Sequence, residues 1–209
     1  HNFKMYAAWD DNIVDMLYFQ RSEYSELTEL ALFAAFAKKS EVILDIGANT
    51  GLYSIVSAKA NPNAAISGFE PYPVNYQRFQ KNLGINDLDK SVNAVNLALG
   101  DSDSKIQFAV PAGGQICDVS SADVDFTKQH YQKWLSYKEI EVQQTTLDQF
   151  CRNENFAKVD LIKIDVENYE LSVLKGALEA LDKFSPVILI EIFVDEERSN
   201  FYDKELKEM

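Results

Sequence analysis

Acidic residues at the ends of apolar runs mark where chemistry is to be sought in this sequence. Asp45 lies in "LDIGANTGLYS", residues 44–54, where a β-rich run collapses into a turn bracketed by Gly47 and Gly51 before a helical pattern begins. Glu70 ends "AISGFE", 19 residues beyond Gly51. Asp165 and Glu167 close "DLIKIDVE". The two glycines remove side chains, which lets a ligand approach the backbone and lets the helix begin tightly against the strand. Their spacing is Gly-x-x-x-Gly, not the Gly-x-Gly-x-x-Gly whose middle glycine makes room for a pyrophosphate. A carboxylate at Asp45 disfavours phosphate there and suits a cationic or amino-bearing ligand. An acidic residue at the end of the next strand, about 20 residues on, is placed to accept both hydroxyls of a ribose. A nucleoside with a positively charged, amino-acid-like arm satisfies both ends, and S-adenosylmethionine is such a molecule. For Asp45 or Glu70 taken singly, the plainer reading is a cap or a surface ion pair.

The second carboxylate group bears on catalysis. Lys163, Asp165 and Glu167 recur at period two and share one face if the strand stays regular. Asp165 is the first candidate for general base or substrate orienter, with Glu167 beside it. Glu191 ends a later strand and is expected to face the same cleft. Carboxylates around a hydroxyl are also the ligand type for Mg²⁺, an alternative ranked below a metal-free site, and no metal ligand is assigned. The competing reading has Asp165 and Glu167 cap the helix near Tyr169, with Lys163 paired to one of them. His130 is the other candidate base, since the second of the two histidines is His1 at the terminus. An exposed helical position is the plainer account of it. Tyr131, Trp134 and Tyr137 nearby offer rings for stacking on a sugar, or for packing onto the sheet.

Strands separated by amphipathic stretches must position these groups. Ser25–Lys38 has Leu27, Leu30, Ala31, Ala34 and Ala35 at helical spacing and reads as a cover helix. Then follow a strand over 41–46, a helix over 51–60, a strand over 65–69, a helix over 73–83 and a strand over 92–98. Later come a buried strand over 159–166, a helix over 169–181 and a strand over 186–193. The alternation predicts an α/β fold, a Rossmann-like three-layer sandwich with a mainly parallel sheet. Residues 104–146 break the pattern with two β-like runs, 105–110 and 138–145, and are expected to form an antiparallel insert, either for substrate recognition or as an antiparallel extension of the sheet with a helix packed on it. The expected organisation is one domain over 1–209, with a cover helix in 1–40 and a core over 41–193.

Composition narrows the partners. With 20 Lys and Arg against 33 Asp and Glu, a formal charge of −13 repels phosphate backbones and anionic lipid surfaces, so nucleic acid is not expected as a partner. No apolar run approaches the roughly 20 residues of a spanning helix. The chain opens on His1 without a signal-peptide pattern, and Cys117 and Cys151 stand far apart, so free thiols and a cytoplasmic location are expected.

Taken in order, "LDIGANTGLYS", "FEPYPVNYQRFQKNL", "NLALGD", "TTLDQF", "VDLIKIDVENYELSVLKGA" and "PVILIEI" resemble the successive motifs of FkbM-type S-adenosylmethionine-dependent methyltransferases, from about Val42 to Ile192. The resemblance implies O-methylation of a small-molecule or glycan hydroxyl, on a sugar or a secondary metabolite. By it, Asp45, Gly47, Asn49 and Gly51 surround the methionine arm and Glu70 the ribose. The turn at Ala98–Asp101 meets the adenine edge, with Pro71, Leu99 and Asp165 among the cofactor contacts. It leads one to expect Gly at position 168, where Asn168 stands; Asn is the residue after glycine most tolerant of a left-handed backbone. It also implies a closing helix, for which "FYDKELKEM" is the candidate, and a β-hairpin that the sequence does not contain. A nicotinamide-dependent oxidoreductase, a non-catalytic nucleoside- or glycan-binding module, and methylation of a nitrogen or carboxylate are the alternatives.

Overall fold

The structure is a computed structural model that describes residues 3–6, 17, 25–117, 120–131 and 136–192. Helix α1 (Ser25–Ala37) leads into β1 (Val42–Ile46), α2 (Leu52–Ala60), β2 (Ala65–Phe69), α3 (Pro73–Ile85) and β3 (Val92–Val95). After an excursion described below, β7 (Leu161–Ile164) is followed by α6 (Glu170–Lys175), α7 (Leu178–Phe184) and β8 (Val187–Ile190). Five parallel strands pair in the order β3-β2-β1-β7-β8. The chain leaves β1 in one direction through β2 and β3, then returns to its other side at β7. The carboxyl ends of β1 and β7 therefore flank the point where strand order reverses, which is where open α/β sheets bind ligands.

Alternation along each strand divides two cores. Ile43 and Leu161 join α1, α2 and α3 through Phe33, Ile55, Phe79 and Leu83. Leu44, Ile46, Ile162 and Ile164 join Phe150, Val173 and Ala177 on the opposite face. The three-layer sandwich expected from the alternating pattern is thus present, because strands covered on both faces must be apolar at nearly every position. Asp45 and Lys163 interrupt the apolar runs "VILDI" and "LIKI", and they stand directly opposite each other in register.

The insert forms a separate mixed sheet rather than an extension of the first. The short β4 (Ala98–Leu99) pairs parallel with β6 (Tyr137–Thr145), and β5 (Ser104–Pro111) pairs antiparallel with β6 from Ser104–Gln144 to Pro111–Tyr137. Helix α4 (Val124–Tyr131) connects β5 to β6. The strand expected over 92–98 divides because the Asn96 side-chain amide donates to the carbonyls of Glu70 and Pro71 and turns the chain from one sheet into the other. The helix expected over 169–181 divides at Gly176–Ala177, where the Asp148 carboxylate accepts the first N–H groups of α7 from Glu179 and Ala180. That aspartate lies on α5 (Leu147–Asn153), a helix absent from the periodicity reading. Its signal was present: Thr146 caps Gln149 N–H at 3.0 Å, in a Thr-x-x-Gln pattern. Trp134, the side chain of Tyr131 and the helix expected in "FYDKELKEM" lie outside the described residues. Among the described residues, no helix is long and apolar enough to cross a membrane.

Gly47, at φ 78°, has no room for a side chain: a Cβ would lie 1.7 Å from the carbonyl oxygen of Asp165. Gly84, exposed near the end of α3, has nothing within 4 Å of an added Cβ. In urea unfolding, Gly47→Ala is expected to lose about 3 kcal/mol. Gly84→Ala is expected to gain about 0.5 kcal/mol. Equal effects at the two positions would contradict the close approach of β1 and β7.

Candidate active site

A cleft lies over the carboxyl ends of β1, β2 and β7. Its walls include Gly47 and Asn49 from the turn after β1, Glu70 and Pro71 after β2, Leu99 on β4, and Asp165 and Glu167 after β7. The turn is tied to β2 by Gly47 and Ala48, whose N–H groups donate to the carbonyl of Phe69 at 3.1 and 2.8 Å.

Glu70 is 4% exposed, and each of its oxygens accepts one backbone N–H, from Asn49 at 2.9 Å and from Tyr72 at 2.8 Å. Each oxygen keeps a second acceptor position. Burial pushes this carboxyl up to about 8 in spite of both donors. Asn49, at φ 51°, holds its side-chain oxygen Oδ1 buried on the same wall with no hydrogen-bond partner. The Oγ of Ser120 is likewise buried without a partner on the cleft wall. A buried acceptor left open beside a carboxylate fits a ligand that brings hydroxyl and ammonium donors.

Beneath the cleft lies a group of charges. Asp45 is fully buried and does not line the wall; Ser54 Oγ donates to its Oδ2 at 2.6 Å. Burial raises the Asp45 pKa, opposed by Lys163 and by the Ser54 bond. Lys163, 7% exposed, donates to Asp165 Oδ2 at 2.8 Å and sits 4.5 Å from the centre of the Tyr53 ring. Burial alone would lower its pKa, but the charges of Asp165 and Asp45 outweigh it and hold the ammonium above its ordinary value. Asp165 itself is half-buried on the wall, its N–H donating to the carbonyl of Ile46 at 3.0 Å.

Several expected members stand elsewhere. Gly51 faces Phe79, whose ring a Cβ would meet at 2.1 Å, so its missing side chain serves helix packing rather than ligand approach. His130 is not on the wall: α4 packs Phe126 inward, and His130, one turn on, lies against that ring at 4.3 Å between centroids with Nδ1 3.1 Å from the Phe126 carbonyl. Glu191 lines a different cavity. Glu167 is on the wall but off the period-two face, because β7 ends at Ile164 and Glu167 and Asn168 adopt φ of 53° and 73°. Asn168 thus holds the left-handed backbone for which glycine was expected. Of the "ALGD" turn, Ala98 and Leu99 reach the cleft while Asp101 is exposed.

The insert supplies wall residues that the sequence did not reveal. Asn75, 2% exposed, donates to the Cys117 carbonyl at 2.6 Å and accepts from the Cys117 N–H at 3.2 Å. On the far side, Ser121 Oγ donates to the Glu167 carbonyl and Asn168 Nδ2 to Asp123. These bonds fix Cys117, Ser120 and Ala122 across the cleft. No periodicity foretells them, since each pairs positions more than 40 residues apart. Among the described residues, no group of three or more His, Cys, Asp or Glu is placed to hold a metal ion.

A family model described as "Methyltransferase FkbM domain" matches residues 45–209. The chain belongs to the FkbM methyltransferase family. This FkbM chain is 31% identical over 153 residues to 2-O-methyltransferase NoeI of Sinorhizobium fredii, covering 70% of this chain and 61% of that protein. It is 27% identical over 156 residues to methyltransferase sdnD of Sordaria araneosa, covering 66% and 60%. Hexuronic acid methyltransferase AglP of Haloferax volcanii is 25% identical over 154 residues, covering 73% and 56%. The FkbM chain thus spans about 60% of the length of such relatives. Its fold matches an S-adenosylmethionine-dependent O-methyltransferase from Thermotoga maritima, with TM-score 0.52, 14% identity, and 95% of this chain and 56% of that one covered.

The raised pKa of Glu70 has a measurable consequence. Between about 4.5 and about 8 the folded protein holds a proton that the unfolded chain has released. The stability this contributes is complete at the acid end of that window and is lost as pH rises through it. Glu70→Gln fixes the neutral form. In urea unfolding, its stability relative to the unaltered protein is expected to rise by about 1 kcal/mol per pH unit across the middle of the window. A difference that does not change with pH would show Glu70 ionised throughout.

Proposed function

We propose that this protein is an S-adenosylmethionine-dependent methyltransferase that O-methylates a hydroxyl of a sugar or a secondary metabolite. One observation carries the reading: a buried carboxyl group with spare acceptor capacity, Glu70, stands beside the unpartnered Asn49 Oδ1 on the wall of a cleft at the strand-order reversal. In this reading Glu70 accepts the ribose hydroxyls. The turn from Gly47 to Asn49 holds the methionine arm, with Asn49 Oδ1 accepting from its ammonium. Pro71, Ala98 and Leu99 bound the adenine, and Asp45 lies beneath the wall rather than in contact with the cofactor. Such residues fit a nucleoside with a cationic arm better than a pyrophosphate, and the nicotinamide alternative is not favoured.

When bound, the cofactor supplies a methyl carbon already activated by a sulfonium, so the O–CH₃ bond forms as the S–CH₃ bond breaks and the neutral thioether S-adenosylhomocysteine leaves. The remaining demands fall on alignment and on removal of the hydroxyl proton. Asp165 Oδ2 is engaged by Lys163 Nζ, which fixes the carboxylate plane. Its Oδ1 is the atom that receives the acceptor's proton. Lys163 holds that carboxylate's orientation. Glu167 stands on the same wall as a second acceptor for substrate hydroxyls. The name of one relative, a 2-O-methyltransferase, supports a hydroxyl acceptor.

Isothermal titration tests the cofactor first. S-adenosylmethionine and S-adenosylhomocysteine are expected to bind the unaltered protein, and Glu70→Ala is expected to weaken both at least about tenfold, the loss of two hydrogen bonds to a buried carboxyl group. No binding of either ligand to folded protein would remove the methyltransferase reading. Asp165→Asn is expected to lower turnover about a hundredfold or more while S-adenosylhomocysteine binds within threefold of the unaltered protein. Unchanged turnover would exclude Asp165 as the base.

A further inference from the structure

Asn75, Asn82 and Asn86 lie with Phe79 at helical spacing along α3 and its C-cap, and all four are buried. A buried amide without partners costs free energy, so each of these asparagines must be hydrogen-bonded. Two of them serve a single residue each. Asn75 bonds both the N–H and the carbonyl of Cys117, and Asn86 does the same for Lys4, accepting from its N–H at 2.8 Å and donating to its carbonyl at 2.7 Å. Asn82 divides its bonds. Its Nδ2 donates at 2.8 Å to the carbonyl of Thr50, in the turn after β1, and its Oδ1 accepts the N–H of Tyr6 at 2.7 Å. One wholly buried side chain therefore joins residues 3–6 to the turn beside the cleft.

Both ends of this link are held. Met5 is buried in the first core with Phe3 packed against it, and the Tyr6 ring lies 3.0 Å from the Lys81 ammonium and 4.9 Å from the Arg78 guanidinium, measured to its centre. That docking presents the Tyr6 N–H to Asn82. At the other end, Thr50 stands between Asn49 at φ 51° and Gly51 at φ 90°, and the Gly51 N–H closes the turn on the Ala48 carbonyl at 2.8 Å. Asn49 sends its N–H to Glu70 from the same turn. An amide has one donor end and one acceptor end, so with Tyr6 on Oδ1 only Nδ2 can meet Thr50. Turning it over would set acceptor against acceptor and donor against donor.

We propose that Asn82 is a positioning residue for the cofactor, coupling the docking of residues 3–6 on α3 to the turn that holds the methionine arm. The proposal rests on the methyltransferase reading and adds to it a residue that is not on the cleft wall. With Tyr6 in place, the Asn82 amide fixes the Thr50 carbonyl, and the turn keeps Asn49 directed at Glu70. Without it, the Thr50 carbonyl loses its fixed donor. Coupling is reciprocal, so bound cofactor must in turn hold the segment against α3.

Isothermal titration with S-adenosylhomocysteine, well below the unfolding temperature of each variant, reads the coupling. Asn82→Leu, of similar volume, removes both bonds, and Tyr6→Pro removes the N–H donor at an exposed position while leaving Asn82 in place. Each is expected to weaken binding at least about fivefold. Asp148→Ala, which uncaps α7, is expected to lower stability and leave the affinity within about twofold. In the unaltered protein, saturation with S-adenosylhomocysteine is expected to slow hydrogen exchange at the Tyr6 N–H at least about fivefold, followed by NMR. Should Asn82→Leu fail to fold, Tyr6→Pro and the exchange rate decide. Affinity within about twofold in a folded variant of Asn82 or Tyr6, exchange at Tyr6 unmoved by S-adenosylhomocysteine, or an equal loss of affinity in Asp148→Ala would overturn the link and leave the methyltransferase reading intact. Absence of S-adenosylhomocysteine binding to the unaltered protein would overturn both.

Discussion

The charge group of Asp45, Lys163 and Asp165 is the constraint around which the top of the sheet is organised. Strands β1 and β7 are buried on both faces and apolar at nearly every position, yet each carries one ionisable residue inside its span. A charge placed there without partners would cost several kcal/mol. In-register pairing sets Asp45 opposite Lys163, Ser54 satisfies one Asp45 oxygen, and Asp165 receives the Lys163 ammonium. Slipping β7 by one residue would turn Lys163 into the opposite core and leave Asp45 with no counter-charge. The same charges that specify register also place a fixed carboxylate at the mouth of the cleft.

That requirement propagates outward. For Asp165 to sit where Lys163 can hold it, the turn after β1 must pass close to the end of β7, and Gly47 is the residue that permits the approach. Its neighbours then direct the Asn49 N–H onto Glu70, so one turn connects the ends of β1, β2 and β7. The insert is attached to this frame from both sides, by Asn75 on α3 and by the left-handed pair Glu167–Asn168 after β7. A mixed sheet foreign to the alternating pattern thereby becomes part of the cleft wall. Its residues border the proposed nucleoside site, and α1, α2 and β8 border a second cavity.

Legibility in the sequence followed the range of the interactions involved. The βαβ units were readable because strand and helix periodicities are local, and so was the turn at Gly47 with the acidic strand end at Glu70. Asn168 was also readable as a left-handed position, since backbone tolerance is a property of residue type. Errors arose where a side chain from elsewhere decided the backbone. Asn96 divided one strand by binding carbonyls of the β2–α3 connection, and Asp148 capped α7 from a separate helix. His130 had the right chemistry but lies against Phe126 and is not on the cleft wall.

The sequence by itself determined the layered α/β plan, the family, and the residue types at the strand ends, because all of these are written in short-range patterns and ordered motifs. Only the tertiary structure decided which carboxylates share a space. It buried Asp45 beneath the wall, set Glu70 and Asp165 upon it, and moved Glu191 to a second cavity. The physical reason is that the direction and surroundings of a side chain depend on strand register and crossing loops, which bring together residues separated by tens to more than a hundred positions.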